Sequence, residues 1–442
     1  YHIIVMKIKI KKGLDLPLKG EIANPSGAKV DFLRPSLVAI CPDDYPGFVP
    51  KPEVKEGETV AALQPIAHDK ADERIKLVSP VAGKLRAIVR GERRHIERFE
   101  IEADGSDKVY EIKADNFAEK LMASGLWAMM RQRPYDIVPV AANRPRDIFV
   151  TAFDSAPLMP VLVDNSAEAV ALMEEGVKAL SALTDGKIYI GRREGTLADI
   201  KGAEMLDVEG PHPAGNAGTL IAAVAPVNKG ETLWTLSADT LREIGRLAKY
   251  GKVDTTVTVA VTGPEAKNPH LVKTIAGAAI KPLLEDENTG ANVRIISGNV
   301  LKGIAENAHG FLHYPYRQLT LMREGNDVDE FMGWASMSPK KLSSTRTFLS
   351  SLFGGRFSPD ARILGGKRAM ILSGVYDRYI PMDIMPEYLL KAIIAKDIEQ
   401  MEALGIYEVA PEDFALAEYA DASKIELQHI VREGLDYVRN NA

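Results

Sequence analysis

At 442 residues the chain is longer than one compact core organises, and at roughly 100–200 residues per domain it should divide into about three or four units. With 46% hydrophobic and 26% charged residues it is neither a disordered nor a fibrous chain. A net charge of −6 excludes a general nucleic-acid binder, which needs a basic footprint to displace counterions from phosphate.

The opening twelve residues alternate apolar and charged side chains without an apolar core, so they read as a first strand and not as a secretion signal. Met6 is a candidate natural start within them. Residues 1–113 carry short β-rich runs punctuated by Gly and Pro and are read as one all-β module. Inside it, residues 52–91 resemble the biotinyl/lipoyl barrel-sandwich modules: Gly57 turns before a strand, Asp69, Lys70 and Ala71 sit where such modules carry a modified lysine, and Ser79, Pro80 and Gly83 begin the return strand. A lipoyl group on Lys70 would make a swinging arm. The long, charged stretch from Lys70 to Ser79 favours a scaffold without the modification, with Lys70 a loop lysine.

Residues 114–252 switch to strands followed by helices and are read as a Rossmann-like α/β domain. Strands at 148–153 and 187–191 flank a helical pattern that Ser166 caps and Gly186 closes. Residues 253–330 return to β character, with a strand at 255–261, a turn at Gly263 and Pro264, a short helix near 274–284 and a strand at 293–298. They resemble the soluble-ligand-binding β-grasp module. Residues 331–442 are mainly helical, with one helix over 387–404 ended by Gly405 and a last helix over 423–439. The fold class expected is thus a multidomain α/β chain, α+β overall.

Chemistry-bearing motifs are few. Neither G-x-G-x-x-G nor G-x-x-x-x-G-K-[ST] occurs, and the nearest loop, GPHPAGNAGT (residues 210–219), has prolines and no phosphate-binding lysine. His309 and His313 stand four apart, but Pro315 follows and no glutamate base lies between them, so structural histidines are favoured over a metal pair. Ser338 and Lys341 form an S-x-x-K without its companion motifs. Cys41 is the only cysteine, which is taken to exclude an intrachain disulfide, a cysteine-ligated zinc and a four-cysteine cluster; no metal site is expected. No run reaches the ~20 apolar residues of a transmembrane helix. From 331 to 359 there is no acidic residue, while Lys340, Lys341, Arg346 and Arg356 interleave with Trp334, Phe348 and Phe353. That segment is either a solvated basic face or a docking surface for an acidic partner or anionic headgroups.

Six segments carry a family resemblance in order along the chain: GLDLPLKGE (13–21), SGLWAMMRQRP (124–134), SALTDGKIYI (181–190), GPHPAGNAGT, VRIISGNVLKG (293–303) and PMDIMP (381–386). They are similar to segments of the A subunits of the sodium-translocating NADH:quinone reductases, bacterial complexes that couple NADH oxidation and quinone reduction to Na+ export. The resemblance implies a peripheral subunit on the cytoplasmic side of the inner membrane, without redox cofactors of its own. NADH, flavins and iron–sulfur centres would lie in partner subunits, and a membrane-embedded subunit would be the chief partner. The family is similar in architecture to the NADH- and flavin-binding subunit of respiratory complex I. Here SGL continues as Trp127, Ala128, Met129 and Met130, bulky where a flavin phosphate needs bare backbone, and residues 416–424 lack the cysteines some members keep. No catalytic residue is assigned. Gly210, Pro211, His212, Pro213, Ala214 and Gly215 are the candidate rim of a quinone pocket, since an imidazole can donate to a quinone oxygen. Against that stands a purely structural scaffold, with quinone bound wholly in membrane subunits. An isolated NADH dehydrogenase is a third reading, and the missing glycine loops count against it.

Overall fold

The computed structural model describes residues 5–287, 289–327, 341–342 and 350–441. Its first strands are β1 (Val5–Lys9), β2 (Asp31–Phe32), β3 (Leu37–Ile40), β4 (Pro50–Pro52), β5 (Thr59–Val60), β6 (Pro65–Asp69), β7 (Lys76–Val78), β8 (Gly83–Arg90) and β9 (Ile96–Ala103). One antiparallel sheet has the order β3-β9-β8-β5 and a second the order β4-β6-β7. Ile66, Leu77, Leu85, Phe99 and Ile101 are buried together, because half-apolar sheets remove their apolar faces from water only by closing on each other. Gly83 is required at the closure: a Cβ there would stand 2.0 Å from the carbonyl oxygen of Glu102. The N-terminal unit is thus barrel-sandwich-like.

β1 and β2 do not stay with that unit. β1 pairs in parallel with the strand at Glu204–Glu209, and β2 pairs with the strand at His270–Ile275. This corrects the expectation that residues 1–113 form one module. Alternation identifies a strand, but an edge strand's sheet is decided by whichever neighbour has an open edge.

The second unit comprises α1 (Phe117–Ala123), β10 (Arg131–Arg133), β11 (Asp147–Thr151), α2 (Ala167–Ser181), β12 (Ile188–Arg192), β13 (Glu204–Glu209), α3 (Ala217–Val224), β14 (Leu233–Ser237) and α4 (Ala238–Tyr250). Its sheet runs β1-β13-β12-β11-β14-β10, parallel except for β10. Ile148, Val150, Ile188 and Ile190 face α2 and α4, whereas Phe149, Tyr189 and Leu206 face Leu220 and Ile221 of α3. Helices on both faces explain why β11 and β12 are apolar without alternation. Ser166 caps α2 as expected, its hydroxyl accepting from the Ala169 N–H at 3.2 Å. The helix ends at Ser181, however, and not at Gly186. That glycine admits the neighbouring backbone instead, since its Cβ would meet the Arg146 carbonyl oxygen at 2.2 Å.

The third unit is SLBB-like and holds β15 (Thr256–Thr262), β16 (His270–Ile275), β17 (Val293–Ser297), β18 (Ile304–Glu306) and β19 (Gln318–Arg323), in the order β18-β17-β19-β15-β16-β2. The helix expected near 274–284 shrinks to a 3-10 turn at Lys281–Leu284, because β-branched Thr274 and Ile275 are paired in β16 opposite β15. The last unit holds α5 (Ser350–Phe353), α6 (Pro386–Ala395), α7 (Ile398–Ala403), α8 (Ala415–Ala420) and α9 (Leu427–Asn441) around Leu389, Leu390, Phe414, Val431 and Leu435. The single helix expected over 387–404 breaks at Lys396, whose φ is +56°. Asp397 then caps a new helix by accepting from the Gln400 N–H at 3.1 Å.

Candidate functional site

In the α/β sheet the connection after β11 leads to β12 on one side, while β14 lies on the other, so the chain diverges above the carboxyl ends of β11 and β14. That divergence opens a crevice. It forms a cavity of about 440 Å³, lined by Thr151, Asp154 and Ser237 from the strand ends, by Gly215 and Asn216 ahead of α3, by Lys302 of the SLBB-like unit and by Glu412 of the last unit, with Asp44 of the barrel-sandwich unit also on its wall.

The GPHPAGNAGT loop joins β13 to α3, with Asn216 as the N-cap residue of the helix. Its glycines are imposed by close approach. A Cβ on Gly210 would lie 2.3 Å from the Ile10 carbonyl oxygen, and one on Gly215 would lie 2.6 Å from the Ser155 backbone nitrogen. The His212 N–H donates to Asp15 at 2.8 Å, and its carbonyl accepts from the Leu14 N–H at 2.8 Å, so GLDLPLKGE and GPHPAG lock together. Ser155 Oγ accepts from the Gly215 N–H at 2.8 Å and lies 3.0 Å from His212 Nδ1. The Ser155 hydroxyl proton is therefore free to donate to Nδ1, which leaves the imidazole neutral with its proton on Nε2. Burial pulls the imidazole down to about 4 in the same sense. His212 is 2% exposed and stands behind the cavity wall; of the six candidate rim residues, Gly215 lines the cavity.

A buried ionic network closes the crevice floor. Arg133, 2% exposed, lies 3.3 Å from Glu412 and 3.5 Å from Asp413, and Lys302 Nζ lies 2.7 Å from Glu412. Burial opposes ionisation of Glu412, yet Lys302 and Arg133 beside it bring its carboxyl down to about 2. Asp413 goes the other way: burial outweighs Arg133 and pushes it up to about 7. Sequence reasoning missed this network, whose members meet across 280 residues. The available signal was that Arg133 and Lys302 each sit inside a segment carrying the family resemblance.

Lys70 is exposed at the start of the loop between β6 and β7. His309 is exposed, and His313 turns inward towards Asp44 and Cys41, on no helix shared with His309. Its Nδ1 is 2.7 Å from Asp44 and its Nε2 is 3.0 Å from Glu306. Burial works against the charged imidazole, but bonds to Asp44, Cys41 and Glu306 prevail and raise it to about 12. Trp127 is core: it meets Trp234 edge-on at 5.0 Å and donates to the Pro139 carbonyl at 2.8 Å, with Ala128 and Met130 fully buried beside it. Of the candidate docking residues, Trp334, Lys340, Arg346 and Phe348 lie outside the described residues, as does Ser338. Lys341 is half-buried, its carbonyl accepting from Ser350 Oγ, and the backbone of Phe353 ends α5. Among the described residues no helix is long and apolar enough to cross a membrane.

Family models match in succession along the chain: the NqrA N-terminal barrel-sandwich hybrid domain over residues 8–104, the NqrA second alpha/beta domain over 112–253, and the NQRA C-terminal domain over 258–306. The A subunit of the Na(+)-translocating NADH-quinone reductase of Neisseria meningitidis serogroup C / serotype 2a is 35% identical, covering 98% of this chain and 99% of that protein. Its counterpart in Vibrio vulnificus strain YJ016 is 35% identical, with the same coverage. That of Hahella chejuensis is 36% identical, covering 97% and 98%. A solved NAD+-reducing [NiFe]-hydrogenase overlaps 68% of this chain and 55% of its own at a TM-score of 0.30 and 13% identity, too distant to carry a conclusion. Identity of this level over essentially the full length places the chain in the family of the A subunits of the Na(+)-translocating NADH-quinone reductases.

Proposed function

We propose that the chain is the peripheral, redox-cofactor-free A subunit of a complex that couples NADH oxidation and quinone reduction to Na+ export, and that it contributes to assembly and to a quinone pocket. The observation that carries this reading is colinear likeness to such subunits over 98% of the chain. NADH, flavins and iron–sulfur centres then belong to partner subunits, consistent with a core occupied by Trp127 and Met130 where a flavin loop would need bare backbone. The chain sits on the cytoplasmic face against a membrane-embedded partner. The basic aromatic segment with Trp334, Lys340, Lys341, Arg346, Phe348 and Phe353 is its docking face. Along the sequence we keep the boundaries 1–113, 114–252, 253–330 and 331–442, with β1 and β2 passing from the first stretch into the sheets of the second and third units, the α/β unit Rossmann-like and the SLBB-like unit a β-grasp.

The quinone headgroup is assigned to the crevice above β11 and β14, where Gly215 of the candidate rim lines the wall, with Gly210, Pro211, His212, Pro213 and Ala214 as the loop behind it. Asn216 makes no side-chain capping bond, and Ala217 at the start of α3 lines the crevice, so its N–H is the donor offered to a quinone oxygen. His212 supports the rim from behind. The scaffold reading is favoured by the locked backbone of the same loop, which has a structural role whether or not quinone binds.

Calorimetric titration of the purified chain with a short-tailed, water-soluble quinone separates the two. Saturable binding near one equivalent, weakened about tenfold or more by His212→Ala in a variant that still melts cooperatively, supports a pocket here. No heat up to the solubility limit moves the pocket to the membrane subunits and leaves the scaffold.

A further inference from the structure

We propose that Cys41, Asp44 and His313 form a binding site for one divalent metal ion of the zinc class, at the seam between the barrel-sandwich and SLBB-like units, with Glu306 orienting the imidazole. Cys41 follows β3 and Asp44 ends the 3-10 turn at Pro42–Asp44, so the two are brought together locally. His313 arrives from 269 residues beyond Asp44, in the segment between β18 and β19. The sulfur, a carboxylate oxygen and an imidazole nitrogen lie within 4.8 Å of one another.

Tetrahedral zinc, with bonds of roughly 2.0–2.3 Å, spaces its donors roughly 3.3–3.7 Å apart, so small side-chain shifts make a three-donor cup. A mixed sulfur, nitrogen and oxygen set suits a borderline ion and needs no second cysteine. The expectation that a single cysteine excludes a cysteine-ligated zinc overlooked this.

The surrounding groups distinguish the cluster from a plain salt bridge. With metal on the Nδ1 side of His313, the Nε2–H donates to Glu306, already 3.0 Å away. A carboxylate on the far nitrogen fixes the tautomer and orientation of a ligating histidine. Asp44 is likewise held: one oxygen faces His313 Nδ1 at 2.7 Å, and the other accepts the Tyr314 N–H at 3.0 Å. The side chains of Asp44 and His313 are 4% and 11% exposed, and Cys41 is 7% exposed, so water competes little. All three border a cavity of about 460 Å³, which leaves the fourth coordination position to water or a small ligand.

The exchange balances in charge. Without metal, both imidazole nitrogens face carboxylates and both carry protons, and the buried thiol carries one. Binding M2+ breaks the Cys41 S–H and the His313 Nδ1–H, and two protons leave to the buffer. The buried cluster keeps its net charge, so the seam does not take on an unpaired ion.

Cobalt(II) is the probe, added to the full chain after chelator treatment. The expected result is one equivalent bound, with a thiolate-to-cobalt charge-transfer band that Cys41→Ser removes and Glu306→Gln retains at an affinity about 10- to 100-fold weaker. Calorimetry of zinc binding in buffers of different ionisation enthalpy should report about two protons released per metal near neutral pH. The unaltered chain serves for that measurement, so it stands even if a variant fails to fold. No charge-transfer band, binding undiminished in a folded Cys41→Ser chain, or zinc uptake without proton release would each overturn the site.

Discussion

His212 and Asp413 respond to pH in opposite senses. The His212 imidazole is held near 4 by burial, against an ordinary 6.5, so the unfolded chain protonates first. Its stabilising share is complete above about 6.5 and drains as pH falls towards 4, by about 3 kcal/mol at most. Asp413, raised to about 7 by burial, is protonated more readily in the folded chain, and its share is lost as pH rises towards 7. Urea unfolding between pH 7.5 and 4.5 should therefore show a steeper acid loss in Asp413→Asn than in the unaltered chain. A shallower loss is expected in His212→Asn, whose Oδ1 can still accept from Ser155. Parallel profiles for all three chains would contradict this assignment of protons. The GPHPAG motif was visible in the sequence because its residues are contiguous. The partners that set their protonation were not, because Ser155, Lys302 and Glu412 reach the loop only through tertiary packing.

Elements were legible wherever local chemistry decides them. Ser166 opens α2 with a hydroxyl that can accept from the backbone, and apolar residues at helical spacing through Leu180 meet a sheet. Where long-range packing decides, sequence reasoning failed: Asp397 starts a new helix within one amphipathic pattern, and Thr274 joins a strand because β15 is there to pair with it. The contact between α2 and α4 belongs to the second kind. Gly176 and Gly245 face each other across it, and a Cβ on Gly245 would lie 1.7 Å from the Leu172 carbonyl oxygen, with backbone in the way and no flexible side chain to yield. Alanine at an ordinary helix interior would gain roughly 1 kcal/mol over glycine. Gly245→Ala should instead lose about 2 kcal/mol or more, because the two helices must separate. The urea midpoint decides the sign, and a midpoint at or above that of the unaltered chain would mean that the helices are not held at this distance.

The whole molecule is interleaved rather than strung as beads. β1 completes the α/β sheet by lying along β13, Val5 opposite Met205 through Lys9 opposite Glu209, and β2 adds to the SLBB-like sheet, before the chain enters the barrel-sandwich unit that follows them. Two sheets therefore depend on strands encoded more than a hundred residues away, and the order of domains read along the sequence is not the order in which sheets are completed. A fragment cut at 112–253, the span of the matched α/β model, would leave β13 with an unpaired edge and remove Ile10 from the buried apolar cluster that holds Leu206 and Val208. An exposed parallel edge beside a buried strand is an aggregation template. Fusing residues 5–12 to that fragment through a flexible linker long enough to reach β13 should raise its unfolding midpoint and suppress its self-association. Replacing Ile8 and Ile10 by lysine in the fused segment should cancel both gains, since one side chain borders the apolar cluster and the other is buried within it. If the bare and fused fragments melt together and sediment alike, β1 contributes nothing the sheet needs, and the interleaving is a matter of chain routing alone.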